Sequence, residues 1–164
     1  MEIVDPPKRA SESVTEMTEI VLPSDGNALG TAFGGRVMQW IDVCAAISSM
    51  RHCRKVVVTA SMDELHFHAP IKVGEVAHLR SRVNAAFRHS LEVGVEVYSE
   101  EPISGERRHT CSALLTFTAL DADGRPATVP PLLAETQEDR DAQKAAADRR
   151  EKRLANRKRT APPA

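Results

Sequence analysis

Residues 27–42 read Asn27-Ala28-Leu29-Gly30-Thr31-Ala32-Phe33-Gly34-Gly35-Arg36-Val37-Met38-Gln39-Trp40-Ile41-Asp42. The stretch passes from a turn into a helix. Just upstream, Pro23-Ser24-Asp25-Gly26-Asn27 is dense in turn formers. From Phe33 onward, Phe33, Val37, Trp40, Ile41, Cys44 and Ser48 recur at steps of three and four, and Ile47 widens the same face. That spacing predicts an amphipathic helix ending near His52. Gly34 and Gly35 fall at its start, where backbone N–H groups have no intrahelical acceptor. Lacking side chains, they let a ligand approach the backbone, and the positive end of the helix favours an anion or a developing oxyanion. Tight packing of the helix on a sheet would use the same pair. Asp42 stands beside the apolar stripe, where a carboxylate is costly unless paired or employed. Such a place suits a base or a nucleophile; an aspartate reaching water from the helix flank would leave the same trace.

Outward from the helix, the period changes to two. Val14–Leu22 has strand composition, as does Val56–Phe67. In Val76–Phe87, the residues Ala77, Leu79, Val83, Ala85 and Phe87 take one side, and His78, Arg80, Arg82 and Asn84 the other. Leu91, Val93, Val95 and Val97 alternate with Glu92, Gly94, Glu96 and Tyr98; His109, Cys111, Ala113, Leu115, Phe117 and Ala119 form the last row. One apolar face per strand means an antiparallel sheet. Arg88-His89 reads as a hairpin and Ser104-Gly105 as a turn. A strand, one long helix and four further strands give an α+β fold: a curved antiparallel sheet wrapped around a single central helix. Residues 1–12 read as a flexible N-terminal arm, 13–130 as the domain, and 131–164 as a charged C-terminal extension. Residues 134–160 carry six acids and nine bases with Leu154 as the one large apolar side chain. A solvated, partly helical or disordered tail with no face to bury is expected.

Composition excludes several classes. A net charge of -1 gives no global case for nucleic acid. Three cysteines make no disulfide framework, and no Cys/His spacing suggests zinc. No apolar run is long enough for a bilayer and no signal-peptide core is seen, so a cytoplasmic protein with no membrane partner is expected. Cys44 and Cys111 read as core, Asp63 as a strand residue, and His66 and His68 as non-ligands.

From Gly34 to Asp42 is eight helical steps, roughly 12 Å at about 1.5 Å of rise per residue. Donors at the helix start therefore do not readily share a substrate atom with Asp42 of the same chain. If both serve one site, two such helices must meet across a two-fold axis.

Six spaced pieces carry a resemblance: P-S-D-x-N-x-x-G-T-x-F-G-G (Pro23–Gly35), M-x-W-I-D (Met38–Asp42), V-T-A-S-M-D (Val58–Asp63), F-H-x-P-I-K-V-G-E (Phe67–Glu75), S-L-E-V-x-V-E-V (Ser90–Val97) and D-x-x-G-R-P-x-x-V-P (Asp121–Pro130). Over residues 14–130 the chain resembles the hotdog-fold acyl-CoA thioesterases, most closely the bacterial branch related to the brain acyl-CoA hydrolases. The resemblance implies hydrolysis of acyl-CoA to free acid and CoA, with no cofactor besides the CoA of the substrate. It implies a dimer sharing one continuous sheet, and a hexamer as a trimer of dimers. It assigns Asn27 and Asp42 to the active site, Asp42 coming from the opposite protomer. Amides of Gly34 and Gly35 would hold the oxyanion. Phe33 would line the substrate site; Thr59 would line it or serve only its strand. Arg88, His89 and Ser90 would meet CoA or form an exposed charged turn, and Phe87-Arg88-His89 departs there from the family's small-residue turn.

Two other functions fit the same residues. A hotdog enoyl thioester hydratase or dehydratase needs a histidine paired with the helix carboxylate, and His52 lies ten residues beyond Asp42. A non-catalytic acyl-CoA sensor binding nucleic acid through its tail would draw on seven bases against two acids from Asp148 onward, but that segment lacks aromatic interleaving.

Overall fold

The three-four spacing that opens at Phe33 becomes a helix over Gly34–Cys53 (α1), closed by Arg54 in the left-handed conformation, its N–H on Met50 O at 2.8 Å. The computed structural model describes residues 5–160. In chain order α1 is preceded by β1 (Lys8–Arg9) and β2 (Thr15–Ile20). It is followed by β3 (Val56–Phe67), β4 (Val76–Ala86), β5 (Ser90–Glu100), β6 (Arg107–Leu120), β7 (Leu132–Leu133) and a second helix, α2 (Gln137–Thr160). β2, β4, β5, β6 and β3 form one antiparallel sheet in that order, while β1 and β7 pair in parallel. Among the described residues no helix is long and apolar enough to cross a membrane.

α1 buries Val37, Ile41, Cys44 and Ala45 against Leu79, Val83, Leu91, Val93, Val95, Leu115 and Phe117 on the inner face of the sheet. Each of the large aliphatic side chains contributes about 1.5–3 kcal/mol by leaving water. A polar seam crosses this core. Ser48 Oγ lies 2.7 Å from Ser81 Oγ and donates to Ser13 O at 2.8 Å; Ser13 Oγ accepts the N–H of Val83 at 2.9 Å. Every member is hydrogen-bonded, so the seam fixes how far α1 slides along β2 and β4.

Four expectations change. Residues 5–12, expected as a loose arm, carry β1 and a 3-10 turn whose Ala10 and Ser13 are buried, because that polar seam needs them; residues 1–4 lie outside the described chain. Phe33, placed on the apolar stripe, caps the helix and is 61% exposed. Ala85 and Phe87 leave the core row because a bulge at Asn84 shifts the register between Val83 and Ala85, flipping the end of β4 to the other face. The tail, expected to bury nothing, is helical through Thr160 and packs on the outer face of the sheet.

That outer packing is polar. Asp139, Ala146, Arg149 and Arg153 recur at steps of seven, three and four on one side of α2. Asp139 is paired with Arg82 of β4. Arg149 grips Glu92 of β5 with two nitrogens, at 3.0 and 2.7 Å. Arg153 reaches Asp63 of β3 at 2.6 Å. Ala146 is fully buried between them, and Arg150 lies 4.8 Å over the Phe87 ring. Asp139 also caps the helix, accepting the N–H groups of Glu135 and Thr136 while its own N–H donates to Thr136 Oγ1.

Candidate active site

Asn27 sits on the turn entering α1. Its Oδ1 accepts the N–H groups of Leu29 at 2.9 Å and Thr31 at 3.2 Å, and its Nδ2 donates to Thr31 Oγ1 at 2.9 Å. Gly30, at φ 73°, closes the turn in a conformation that a residue with Cβ rarely adopts. The loop is fastened to the helix by Asp25. Its carboxylate takes Arg36 Nε at 2.8 Å and Leu22 N–H at 3.0 Å, and its carbonyl accepts the N–H of Phe33 at 2.8 Å. Sequence reasoning missed the Asp25–Arg36 tie; the signal was an arginine in the first turn of a helix, where a cation opposes the dipole unless an acid answers it.

Gly34 and Gly35 open α1 with Phe33 folded over them: a Cβ on Gly35 would lie 2.8 Å from the Phe33 ring. Phe67, also exposed, borders Gly34. Asp42 lies two turns further along and is half-buried. Its Oδ1 accepts a hydrogen bond from Thr59 Oγ1 of β3 at 2.6 Å. No hydrogen bond joins Asn27 to Asp42 among the described residues. Each carries its own partner, as the helix rise requires.

Arg88 and His89 form the β4–β5 hairpin, with Ser90 opening β5. Its backbone is pinned: His89 O accepts the N–H of Ala119 at 3.0 Å, and Arg88 O that of Val129 at 3.0 Å. Leu91, Phe117 and Thr59 share one row across β5, β6 and β3. Ser90 therefore stands one residue beyond the row that carries Thr59, two strand spacings away, about 10 Å.

His52 is buried, its Nε2 bonded to Pro130 O at 2.8 Å, and burial holds its pKa below the ordinary histidine value. It is not brought to Asp42. Burial pushes up the thiols of Cys44, Cys53 and Cys111, the last to about 11, so none resembles an activated nucleophile. A groove of about 340 Å³ lined by His66, Arg80, Arg82, Glu96, Ser112 and Glu138 lies beside α2 and includes no candidate site residue.

Residues 29–106 match the thioesterase superfamily model. A Bacillus subtilis (strain 168) relative, the uncharacterized acyl-CoA thioester hydrolase YkhA, is 43% identical over 128 residues, 78% of this chain and 74% of that protein. The Staphylococcus aureus acyl-CoA hydrolase, solved with butyryl-CoA, CoA and CoA disulfide, superposes with a TM-score of 0.86 at 35% identity, covering 94% of both chains. An apo-hexameric acyl-CoA thioesterase superposes with a TM-score of 0.87 at 38% identity, covering 97% of this chain and all of the other. The Staphylococcus aureus enzyme has also been solved as alanine variants of an aspartate, an asparagine and a threonine, the asparagine variant with CoA bound. The chain belongs to the thioesterase superfamily, among its hotdog-fold acyl-CoA thioester hydrolases.

Proposed function

We propose that this protein hydrolyses acyl-CoA thioesters in the cytoplasm, at sites completed between two protomers. The Thr59–Asp42 hydrogen bond carries the reading. It holds a half-buried carboxylate at a fixed place on the helix surface, beside an edge strand that leaves one side open. β3 is that edge: Val56, Val58 and Phe67 are exposed along it, and β6 is its one neighbour among the described residues. Pairing β3 with its copy would continue the sheet, cover these apolar side chains, and bring one protomer's helix start toward the other's Asp42. Three such dimers would make the hexamer expected from the resemblance.

In this arrangement the thioester carbonyl points at the N–H groups of Gly34 and Gly35, which stabilise the oxyanion. Asn27 orients substrate or water. Asp42 of the other protomer either takes a proton from the attacking water or attacks the carbonyl itself. The C–S bond then breaks and the thiolate leaves as CoA with a proton; on the first route the acid is released at once, and on the second water hydrolyses the acyl-aspartyl anhydride, releasing the acid and restoring Asp42. Phe33 and Phe67 offer an apolar wall for the acyl or pantetheine chain. Arg88, His89 and Ser90, one residue beyond the Thr59 row, offer polar contacts for the CoA end. The residue types replaced in the Staphylococcus aureus enzyme are those of Asp42, Asn27 and Thr59. Water and the chain's own groups suffice, with no added cofactor.

Complementation tests the shared site. Asp42→Ala and Asn27→Ala proteins should each lose nearly all hydrolysis of a short acyl-CoA. Mixed under conditions of subunit exchange, they should regain activity, because a heterodimer restores one site of two. Full activity in folded Asp42→Ala would overturn the catalytic assignment, and no recovery on proven exchange would overturn the shared site. Single turnover in H₂¹⁸O reports on the two roles: label on Asp42 shows that it attacked the carbonyl, because a general base keeps its own oxygens.

A further inference from the structure

β3 departs twice from regular pairing with β6, once between Thr59 and Ser61 and again between Met62 and Glu64. Each shift places one extra residue on β3, and bulges of this kind re-aim the neighbouring side chains. Thr59, at the first bulge, is the donor to Asp42. Asp63 is the extra residue of the second. Its carboxylate accepts Ser61 Oγ at 3.3 Å, within the same strand, and Thr116 Oγ1 at 3.3 Å, from β6. The third and shortest contact comes from α2: Arg153 Nη1 at 2.6 Å, with both side chains less than a quarter exposed. Among the described residues strand β3 has no neighbour on its other side, so this three-way grip on the outer face is what holds the bulged segment against the sheet.

We propose that Asp63, clamped by Arg153, is a positioning residue for the hydrolytic site, and that α2 is a working part of the catalytic unit. The clamp fixes the double bulge, the bulge aims the Thr59 hydroxyl, and Thr59 holds Asp42. Without Arg153 the Asp63 carboxylate keeps two neutral, weaker donors; β3 gains freedom at the turn of strand that carries Thr59. The inference rests on the hydrolytic reading of Asp42 and Thr59, and it concerns a residue pair on the face of the sheet opposite that site.

The test uses the full-length protein and butyryl-CoA hydrolysis. Arg153→Met removes the charge and keeps the stem; kcat should fall about tenfold, the scale of a small misplacement of a catalytic group, while KM stays within about twofold. Arg153→Lys should restore most of the rate. In a Thr59→Val background, Arg153→Met should have almost no further effect, since both act through one hydroxyl. Wild-type kcat in folded Arg153→Met, or a full tenfold effect in the Thr59→Val background, would overturn the proposal. If Arg153→Met fails to fold, Asp63→Asn replaces it with the same expectations. If Asp42→Ala is inactive while Arg153→Met behaves as wild type, the clamp alone fails; if the wild type hydrolyses no acyl-CoA, the site reading fails and the clamp with it.

Discussion

Asp42 and Thr59 meet across the gap between a helix and an edge strand, seventeen residues apart in the chain. The hydrogen bond leaves one carboxylate oxygen free for water or a carbonyl carbon. Replacing Thr59 by Val keeps the shape and deletes the donor. Because hydrogen bonds to a charged group are among the stronger ones, kcat should fall by roughly one to two orders of magnitude, with thermal stability nearly unchanged; steady-state kinetics beside a melting curve checks both. Asp42 was legible in the sequence, since a carboxylate directly after Trp40-Ile41 on an apolar face calls for a reason. Its pairing with Thr59 was not, although the resemblance had brought Thr59 to the substrate site. Thr59 reaches Asp42 through a bulge, and a bulge leaves no mark on a period-two pattern except the irregularity of Val56–Phe67. Asn27 was legible as a turn residue, but its commitment to Leu29 and Thr31 belongs to loop geometry that spacing does not encode.

At the scale of elements, α2 shows how a segment can be structured without an apolar stripe. Its buried side is Asp139, Ala146, Arg149 and Arg153, a helical repeat written almost wholly in charge. A reading by hydrophobic period sees only solvated residues there. The answering charges lie far away in sequence, on Arg82, Glu92 and Asp63, and alternation had placed Glu92 on the wetter side of β5. Glu92 is instead 1% exposed. Breaking such a pair leaves an uncompensated buried charge, so Arg149→Met should destabilise the protein by about 3–5 kcal/mol. Adding Glu92→Leu should recover most of that loss. Chemical denaturation of the two variants is the check, and equal midpoints for wild type and Arg149→Met would show the pair to be idle. Helix α1 and strands β4, β5 and β6, by contrast, were legible because their buried sides are apolar and their periods regular. The end of β4 is the exception, where the Asn84 bulge inverted the rows.

For the molecule as a whole, acid should act in two stages. His52 is held neutral by burial, its pKa below the ordinary 6.5, so the unfolded chain takes up that proton first. Stability should therefore fall as pH drops below about 6.5 and level off once the folded state also binds the proton. Asp139 differs in origin. Burial pushes its pKa up, but the N–H groups of Glu135 and Thr136 and the Arg82 guanidinium outweigh this and leave it below the ordinary 3.8. Its contribution is present above about 3.8 and is lost as pH falls through the lower folded value, taking with it the cap of α2. Melting temperature measured from pH 7.5 to 3 should show both stages, and His52→Gln should remove the first and keep the second. A single decline confined to pH below 4 would contradict the role given to His52.

The placement of α2 also bears on how the protein is made. Every strand of the main sheet leaves the ribosome before the helix that covers its outer face. From Asp121 through Thr160 there are forty residues, about 2–8 s of synthesis at about 5–20 residues per second. During that interval the nascent sheet carries a hydrated Glu92, an uncovered Ala85 and Phe87, and an open β3 edge. The helix that closes this face is made only after the whole of the main sheet, and chaperone demand should be concentrated in that interval.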